Sequence, residues 1–235
     1  MTKIRAIFFD LDGTLAPLDE SKFIELYMSA LAKKAMSYGY DGKAFLKAIG
    51  EGTMLMFNND GKKSNEDIFW ECVLKKFPTL NKNMFDDFYE NDFKEVLVSV
   101  GQNDLAKPIV DYCNEHFDYV VLSTNPLFPF VATKQRMEKV NLKEEDFDFI
   151  TSYENSAFCK PNPAYFRFLL EKFNLKPEEV IVLGNNDYED CWCASEANIK
   201  TLLIGDNLIH DKRNTKKFEH LKMDEVIDFL KNVNV

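Results

Sequence analysis

Long hydrophobic runs are missing from this sequence of 235 residues. No window approaches the ~18 uninterrupted apolar residues that a membrane-spanning helix needs. The first five residues, Met1 to Arg5, carry charge and lead directly into a predicted strand. They lack the apolar stretch and the small-residue cleavage site of a signal peptide. We therefore expect a cytoplasmic protein with no membrane partner.

Cysteine patterns typical of disulfide frameworks or metal sites are also missing. The five cysteines are odd in number and scattered along the chain, so they do not form a disulfide framework. Cys191-x-Cys193 is a close pair, but no second Cys/His pair lies near it in the sequence. We interpret both as small residues of a partly buried helix.

Positive charge is scarce as well. The chain has 29 Lys and Arg against 39 Asp and Glu, which gives a formal net charge of −10. Such a surface repels nucleic acid unless a local basic patch overrides it. The densest basic segment, residues 212–217, is short and follows Asp206 and Asp211, so we interpret it as a solvated turn. The composition predicts no nucleic-acid partner.

Short β-branched and aromatic runs recur along the chain and predict buried parallel strands. The first runs from Ile4 to Phe9 and ends at Asp10. Four similar runs follow, at residues 119–122, 147–150, 180–183 and 201–204. Helical patterns lie between most of them. This alternation favours an α/β fold with a Rossmann-like, doubly wound parallel sheet.

Between the first two predicted strands, apolar residues recur at helical spacing only. A spacing of four is seen in Phe23, Tyr27, Leu31 and Ala35. We predict an all-helical cap over residues 16–98, inserted into an α/β catalytic core of residues 1–15 and 99–235. The insertion leaves at the carboxyl end of the first strand, where open α/β sheets bind ligands. A helical module there can act as a lid over a site.

Two carboxylates follow the first predicted strand directly, in the segment Asp10-Leu11-Asp12-Gly13-Thr14. A carboxylate is a workable nucleophile toward phosphorus when a metal ion neutralises the approaching anion. A second carboxyl group nearby can donate a proton to a leaving alkoxide and later take one from water. Gly13 permits the sharp turn between them and the following chain. The segment therefore predicts phosphoryl chemistry with Asp10 as the nucleophile.

The segment Phe8-Phe9-Asp10-Leu11-Asp12-Gly13-Thr14-Leu15 resembles the first motif of the haloacid dehalogenase-like superfamily. The similarity is to the phosphatase branch with an α-helical cap, which includes phosphoglycolate phosphatase and β-phosphoglucomutase. The second motif of this family is a hydrophobic strand ending in Ser or Thr, and residues 120–125 resemble it. By this resemblance, Thr124 and Asn125 bind the transferring phosphoryl oxygens.

The third motif of the family is a lysine, and Cys159-Lys160-Pro161-Asn162-Pro163-Ala164-Tyr165-Phe166 resembles its Lys-Pro-x-Pro-x-x-Phe stretch. Pro161 favours extended backbone at the residue before it. The resemblance implies that the Lys160 ammonium binds the phosphoryl group and offsets charge on the nucleophile.

The fourth motif is an acidic loop after a strand, usually Gly-Asp with another Asp further on, and residues 182–190 occupy its place. When Gly184 and Asp190 are aligned with the motif, Asn185 stands where the family has an acid that usually contacts magnesium. An amide oxygen can coordinate a hard cation, but it brings no charge. Asp187 is an alternative ligand that could reach in instead.

The resemblance implies a magnesium-dependent phosphatase acting on a small phosphorylated metabolite, as a monomer or a homodimer. Asp10 attacks phosphorus to form an aspartyl-phosphate, and Asp12 protonates the leaving oxygen and then activates water. Thr124 and Lys160 hold the phosphoryl group. The implied magnesium ligands are Asp10, Asp12 through its backbone carbonyl, Asn185 and Asp190.

Two alternatives stay open. A phosphomutase of the same fold would use the same residues but return the phosphoryl group to a sugar. A non-catalytic relative would keep the phosphate pocket with a weakened metal site. The dehalogenase branch is disfavoured because its members do not use a carboxyl group at the Asp12 position. Residues 51–57 are a candidate for cap specificity, although their Met and aromatic content is more typical of the cap's own core.

Overall fold

The computed structural model describes residues 2–234, and its centre is a parallel sheet. The strands are β1 (Ala6–Phe9), β2 (Tyr119–Leu122), β3 (Phe149–Ile150), β4 (Val180–Gly184), β5 (Lys200–Ile204) and β6 (His220–Leu221). They are ordered β3-β2-β1-β4-β5-β6, and every neighbouring pair is parallel. The α/β class predicted from the alternating pattern is confirmed.

The strands differ from the sequence prediction in several places: β1 begins at Ala6 rather than Ile4, and β4 and β5 are each one residue longer than predicted. The edge strand β6 was not predicted, because its two residues are partly exposed and form no apolar run. The strand β3 begins at Phe149 rather than 147, because the side chain of Asp148 accepts the N–H of Val120 at 2.7 Å. The N–H of Val120 is therefore not free to donate to a backbone carbonyl, as it would in a longer ladder between β2 and β3.

Helices cover both faces of the sheet and fill the stretch between β1 and β2. They are α1 (Glu20–Ser37), α2 (Gly42–Phe57), α3 (Asn65–Lys76), α4 (Asn83–Asp87), α5 (Phe93–Val96), α6 (Ala106–His116), α7 (Phe130–Glu138), α8 (Ala164–Phe173), α9 (Cys193–Ser195) and α10 (Val226–Lys231). One π-helical turn, Phe88–Asp92, joins α4 to α5, and another, Asp187–Trp192, precedes α9. Short 3₁₀ turns lie at Leu97–Ser99, Glu144–Asp146, Pro177–Glu179 and Met223–Glu225. No helix within residues 2–234 is both long and apolar enough to cross a bilayer.

The two faces of the central strand β1 belong to different cores. Ile7 and Phe9 pack on one side with residues of α6, α7 and α10. Phe8 packs on the other side with residues of α8 and α9. Because successive side chains of a strand point to opposite faces, a strand buried on both sides is apolar throughout, as β1 is.

The helices from α1 to α5 form an aromatic core of their own. Their starts are set by side chains that cap the first turn: Asp19, Asp41 and Ser64 each accept a backbone N–H three residues on. The buried stripe of α1 consists of the four residues predicted from their spacing, Phe23, Tyr27, Leu31 and Ala35. These residues pack with side chains of α2, α3 and the turn after α4.

The start of α3 fastens this helical region to the sheet region. Asn65 is fully buried, and its side chain donates to the carbonyl of Pro126 at 3.2 Å. Its backbone N–H donates to the carbonyl of Ser156 at 2.8 Å. A second attachment joins Gln135 to the carbonyl of Tyr89 at 2.8 Å. These hydrogen bonds hold the helices over the carboxyl ends of the strands.

Candidate active site

Three predicted site residues follow three neighbouring strands at one edge of the sheet. Asp10 follows β1, Thr124 follows β2, and Asn185 follows β4. The strand β1 lies between β2 and β4, so its carboxyl end lies at the point where the strand order reverses. Such switch points open a crevice in α/β sheets. The sheet topology thus explains why residues more than a hundred positions apart meet here.

Lys160 lies between two carboxylates and is itself fully buried. Its ammonium donates to Asp10 Oδ1 at 2.8 Å and to Asp190 Oδ1 at 2.5 Å. The ammonium and both carboxylates are nearly inaccessible to solvent. Short charge-assisted bonds of this kind compensate part of the cost of burying the charges. The structure thus brings together Asp10, Lys160 and Asp190, which the sequence predicted to share a site.

The pKa values of this group reflect burial and mutual charge. Burial and the nearby Asp190 charge raise the pKa of Asp10 to about 7, although Lys160 opposes this. Burial alone would lower the pKa of Lys160, but Asp10 and Asp190 hold it well above its usual value. Lys160 therefore stays a cation throughout the neutral range. A fixed cation is what phosphoryl transfer requires beside the nucleophile.

The loop after β4 folds back on itself around the side chain of Asp190. Asp190 Oδ2 accepts the backbone N–H groups of Asn185 and Asn186 at 3.1 and 3.0 Å. A Cβ at Gly184 would lie 2.4 Å from the Asp190 carboxyl carbon, so only glycine leaves room for it. Both oxygens of Asp190 are thus engaged, one by Lys160 and one by the loop.

Asn185 meets the first motif through Thr14 and Gly13. The Thr14 hydroxyl lies 3.0 Å from Asp10 Oδ2 and 3.2 Å from Asn185 Oδ1. The Asn185 amide nitrogen donates to the carbonyl of Asn207 at 2.7 Å. A Cβ on Gly13 would lie 2.1 Å from that nitrogen, and Gly13 has φ +82°. The glycine is therefore needed for the close approach as well as for the turn.

Asp187, the alternative metal ligand, points elsewhere. One of its oxygens lies 3.0 Å from the His210 ring, and the other accepts the backbone N–H of Asp211 at 2.9 Å. Burial would raise the pKa of Asp187, but these hydrogen bonds lower it. The structure does not bring its carboxylate toward Asp10, and the fold uses it to anchor the segment around 210.

Asn125 joins the second and third motifs. Its amide nitrogen donates to the carbonyl of Lys160 at 3.2 Å and to Glu189 Oε2 at 3.0 Å. Its amide oxygen accepts the N–H of Lys160 at 3.2 Å. The side chain predicted to bind phosphate is thus occupied with positioning the backbone of Lys160.

Arg136 on α7 is a site residue that sequence reasoning missed. Its Nε lies 3.2 Å from Asp12 Oδ1, and the Arg136 side chain is 1% exposed. The guanidinium stacks over Phe128 and Phe23, with distances of 4.8 and 5.5 Å to the ring centroids. Burial raises the pKa of Asp12, while Arg136 and then Lys160 oppose this. A signal existed, because Arg136 follows Ala132 and Thr133 at helical spacing and precedes Met137, the other buried residues of α7.

Oxygen donors suited to a hard cation lie around Asp10. Asp10 Oδ2 and the Asn185 amide oxygen both lie within 3.2 Å of the Thr14 hydroxyl, and Asp12 lines the same cavity. Mg²⁺ accepts such a mixed carboxylate and carbonyl set. Within residues 2–234, no three His, Cys, Asp or Glu side chains converge as metal ligands. The ammonium of Lys160 lies between the carboxylates of Asp10 and Asp190 and contacts both. The residues fit a magnesium ion held by few protein ligands.

A cavity of about 380 Å³ opens above these groups. Its floor includes Asp10, Asp12, Thr124, Lys160, Asn185 and Asp190. Its roof is formed by side chains of α1 and α2, with Tyr27 of α1 hydrogen-bonded to Tyr89 at 3.0 Å. In residues 51–57, Thr53 and Phe57 line the cavity, whereas Met56 is buried and Met54 and Leu55 are exposed. The segment is thus part pocket and part core.

Comparison with known proteins identifies the family. The sequence model described as haloacid dehalogenase-like hydrolase matches residues 4–198. A protein of Caldanaerobacter subterraneus named for pyrophosphatase activity, PpaX, is 22% identical over 237 residues, covering 98% of this chain and 92% of its own length. Glyceraldehyde 3-phosphate phosphatase of Pyrococcus furiosus is 24% identical over 225 residues, covering 86% of this chain and 81% of its own length.

A solved structure supports the same fold. The HAD-hydrolase YfnB of Bacillus subtilis, in a crystal form bound to magnesium, has a TM-score of 0.57 and 18% sequence identity to this chain. The similarity covers 98% of this chain and 100% of that chain. At this identity it shows the fold alone. The resemblance stated from the first motif is confirmed by the family match.

Proposed function

The chain belongs to the haloacid dehalogenase-like hydrolase family, and on this premise we propose that it is a magnesium-dependent phosphatase that hydrolyses a small phosphate monoester. The observation that carries the proposal is the buried contact of Lys160 with Asp10 at 2.8 Å beside Asp12. A carboxylate fixed against a cation at the mouth of a switch-point crevice suits attack on phosphorus. Hydrolases of this family generally use Mg²⁺, and a structural neighbour was solved with it.

In the proposed mechanism, Asp10 attacks phosphorus through Oδ2 or Oδ1, the bond to the leaving oxygen breaks, and an aspartyl-phosphate forms. Asp12 donates its proton to the leaving oxygen, so that an alcohol departs rather than an alkoxide. The same carboxylate then takes a proton from the water that attacks the aspartyl-phosphate. Inorganic phosphate leaves, and Asp10 is restored.

The other residues position these two carboxylates and the phosphoryl group. Lys160 would offset the charge that gathers on the transferring group. Thr124 lines the cavity, and its hydroxyl would donate to the same group. Asn125 and Asp190 act through Lys160, since both contact it directly. Arg136 contacts Asp12 and does not itself line the cavity.

Magnesium, when bound, would neutralise negative charge between the nucleophile and the phosphate. The residues that would hold it are Asp10, Asn185 and the backbone carbonyl of Asp12. Asp190 was predicted as a further ligand, but both its oxygens already serve Lys160 and the loop. We therefore assign Asp190 to positioning. The helical stretch predicted as a cap, residues 16–98, would cover the substrate, and the protein would work as a cytoplasmic monomer or homodimer.

The test uses p-nitrophenyl phosphate, whose leaving group needs no proton. In Asp12→Asn, the first step should still occur while hydrolysis of the aspartyl-phosphate is slow. A burst of about one nitrophenolate per enzyme is therefore expected, followed by a slow steady rate. Asp10→Asn, a nearly isosteric control, should give no burst. Turnover by Asp10→Asn at the native rate would exclude Asp10 as the nucleophile and refute the proposed function.

Product analysis separates the phosphatase from the phosphomutase reading. Release of inorganic phosphate equal to substrate consumed is expected for a phosphatase. Isomerised sugar phosphate without free phosphate would indicate the mutase instead. No turnover of any phosphate ester with magnesium present would favour the non-catalytic reading.

A further inference from the structure

The cavity has two halves of different chemistry. The floor carries the charged groups already described, and the carboxylates of Glu20 and Glu189 also line the cavity. Most of the remaining roof and wall is aromatic and aliphatic. The aromatic and aliphatic side chains contributed by α1, α2 and α3 include Phe23, Ile24, Tyr27, Met28, Phe57 and Phe69. The volume of about 380 Å³ lies within the range of sites that enclose ring-containing small molecules, roughly 300–1,000 Å³.

Positive charge is confined to the floor. Of the described residues that line the cavity, Lys160 is the only Lys, Arg or His. Its ammonium is already shared by Asp10 and Asp190. Arg136 is paired with Asp12 and does not line the cavity. The roof therefore offers no cation to a second anionic group of a substrate.

The polar side chains that α1 and α2 place on the cavity include no cation: Glu20, at the first turn of α1, is a carboxylate, and the hydroxyls of Tyr27 and Thr53 are neutral and already bonded. The hydroxyls of Tyr27 and Tyr89 hydrogen-bond to each other at 3.0 Å. The Thr53 hydroxyl donates to the carbonyl of Ile49 in its own helix at 3.0 Å. An anion buried against such a surface would lose its hydration without gaining a partner, which is strongly unfavourable. An apolar or aromatic group would instead gain contact with the rings.

From this division we infer the substrate class: a phosphate monoester of an uncharged alcohol that carries an apolar group of ring size. Esters whose alcohol carries a carboxylate or a second phosphoryl group, and pyrophosphate itself, are poor substrates. This inference rests on the proposed phosphatase function and deepens it. It separates the chain from relatives named for pyrophosphatase and glyceraldehyde 3-phosphate phosphatase activity.

The test compares three esters that release an alcohol, and it adds pyrophosphate, an anhydride that releases phosphate, as a further anionic compound. The substrates are 2-phenylethyl phosphate, its para-carboxylate, 2-phosphoglycolate and pyrophosphate, each assayed by phosphate release with magnesium. We expect kcat/KM for 2-phenylethyl phosphate to exceed that of each anionic compound by at least about tenfold, a difference near 1.4 kcal/mol. Equal or faster hydrolysis of the para-carboxylate or of phosphoglycolate would overturn the inference.

Charge variants on α2 provide the matched controls. Thr53→Lys adds a cation that faces the cavity, and Thr53→Met adds similar length without charge. Leu55→Lys adds the same cation on the exposed side of the same helix. We expect Thr53→Lys to shift the ratio of rates toward the para-carboxylate by about tenfold or more. Thr53→Met should not shift it that way, and Leu55→Lys should behave as the native protein. The same shift in Leu55→Lys would refute a role for the cavity.

Binding separates failure of this inference from failure of the phosphatase function. The non-hydrolysable 2-phenylethylphosphonate and 3-phosphonopropionate are compared by the thermal stabilisation that each gives. Stronger stabilisation by 2-phenylethylphosphonate is expected even if no ester turns over, a result that would reject only the catalytic proposal. Equal stabilisation, or a preference for 3-phosphonopropionate, would reject the apolar substrate class whatever the activity.

Discussion

The contact between Arg136 and Asp12 gives a quantitative prediction about stability. Nε and Oδ1 are 3.2 Å apart, but neither atom makes an aligned hydrogen bond, and Arg136 Nη1 also has no partner within residues 2–234. The pair therefore interacts mainly through charge. The Arg136 side chain is 1% exposed and that of Asp12 is 24% exposed, so water screens the pair from one side only.

The perturbation is a double-mutant cycle with Arg136→Met, Asp12→Asn and both together. Coulomb's law at 3.2 Å and an effective dielectric constant near 20 gives an upper bound of about 5 kcal/mol. The poor alignment and the partial exposure of Asp12 reduce this. We expect a coupling free energy of about 1.5–3 kcal/mol, in the upper part of the range that double-mutant cycles give for residues in contact. Methionine keeps much of the apolar contact with Phe128 and Phe23.

The assay is urea unfolding of the four proteins in magnesium-free buffer at one pH. Each single substitution leaves a buried or half-buried charge without its counter-ion, so each should lose stability. The double variant removes both charges, and its loss should be smaller than the sum of the single losses by the coupling free energy. Losses that add to within about 0.5 kcal/mol would show that the two groups do not interact and would refute the reasoning.

The remaining predictions concern the loops that meet at Asp10. Asn185→Asp should lower the magnesium concentration for half-maximal rate by roughly 5–30-fold, equivalent to about 1–2 kcal/mol. In EDTA the same substitution should lower the free energy of unfolding by about 1–3 kcal/mol, because an amide hydrogen bond is lost. An unchanged magnesium requirement would mean that residue 185 is not a ligand. Gly13→Ala should lower stability more than Gly39→Ala. Both glycines have positive φ, but only a Cβ at Gly13 would clash with a side chain, that of Asn185. Equal losses in thermal unfolding would count against the close approach of Asn185 to Gly13. Asn125→Ala should lower kcat and stability together, because two hydrogen bonds to the backbone of Lys160 and one to Glu189 are lost. An unchanged kcat at lower stability would limit Asn125 to a structural role.

Much of the fold could be predicted because its signals are local. The runs that form β1, β2 and β4 are apolar over four or more residues, and β5 has three apolar residues after Thr201. The buried stripe of α1 repeats every four residues. Edge strands carry weaker signals. The strand β6 has two partly exposed residues, and β3 is shortened by a side-chain hydrogen bond of Asp148. Neither effect leaves a pattern in the sequence.

The sequence motifs named residues that lie around one cavity in the structure, but they did not predict the contacts of those residues. Asp10, Thr124, Lys160 and Asn185 all line the cavity, as the motifs indicated. The sequence did not reveal that the side chain of Asn125 hydrogen-bonds the backbone of Lys160. It also did not reveal that Asp190 hydrogen-bonds the Lys160 ammonium and the loop after β4. Hydrogen bonds between residues 30 or more positions apart depend on how the loops fold together. The same holds for Asp187, which the loop turns toward His210.

The sequence by itself determined the segment Asp10 to Thr14, its placement after a strand and the amide at Asn185 in place of a second acid, because these are matters of residue type and short spacing. The nucleophile role of Asp10 is a prediction from that segment. Only the tertiary structure decided what surrounds that segment. Packing of α7 beneath the helical region placed Arg136 beside Asp12, and folding of α1 and α2 over the sheet edge gave the cavity an apolar roof without cations. Charge compensation and cavity lining arise from residues distant along the chain, so they appear only when the helices and strands are packed together.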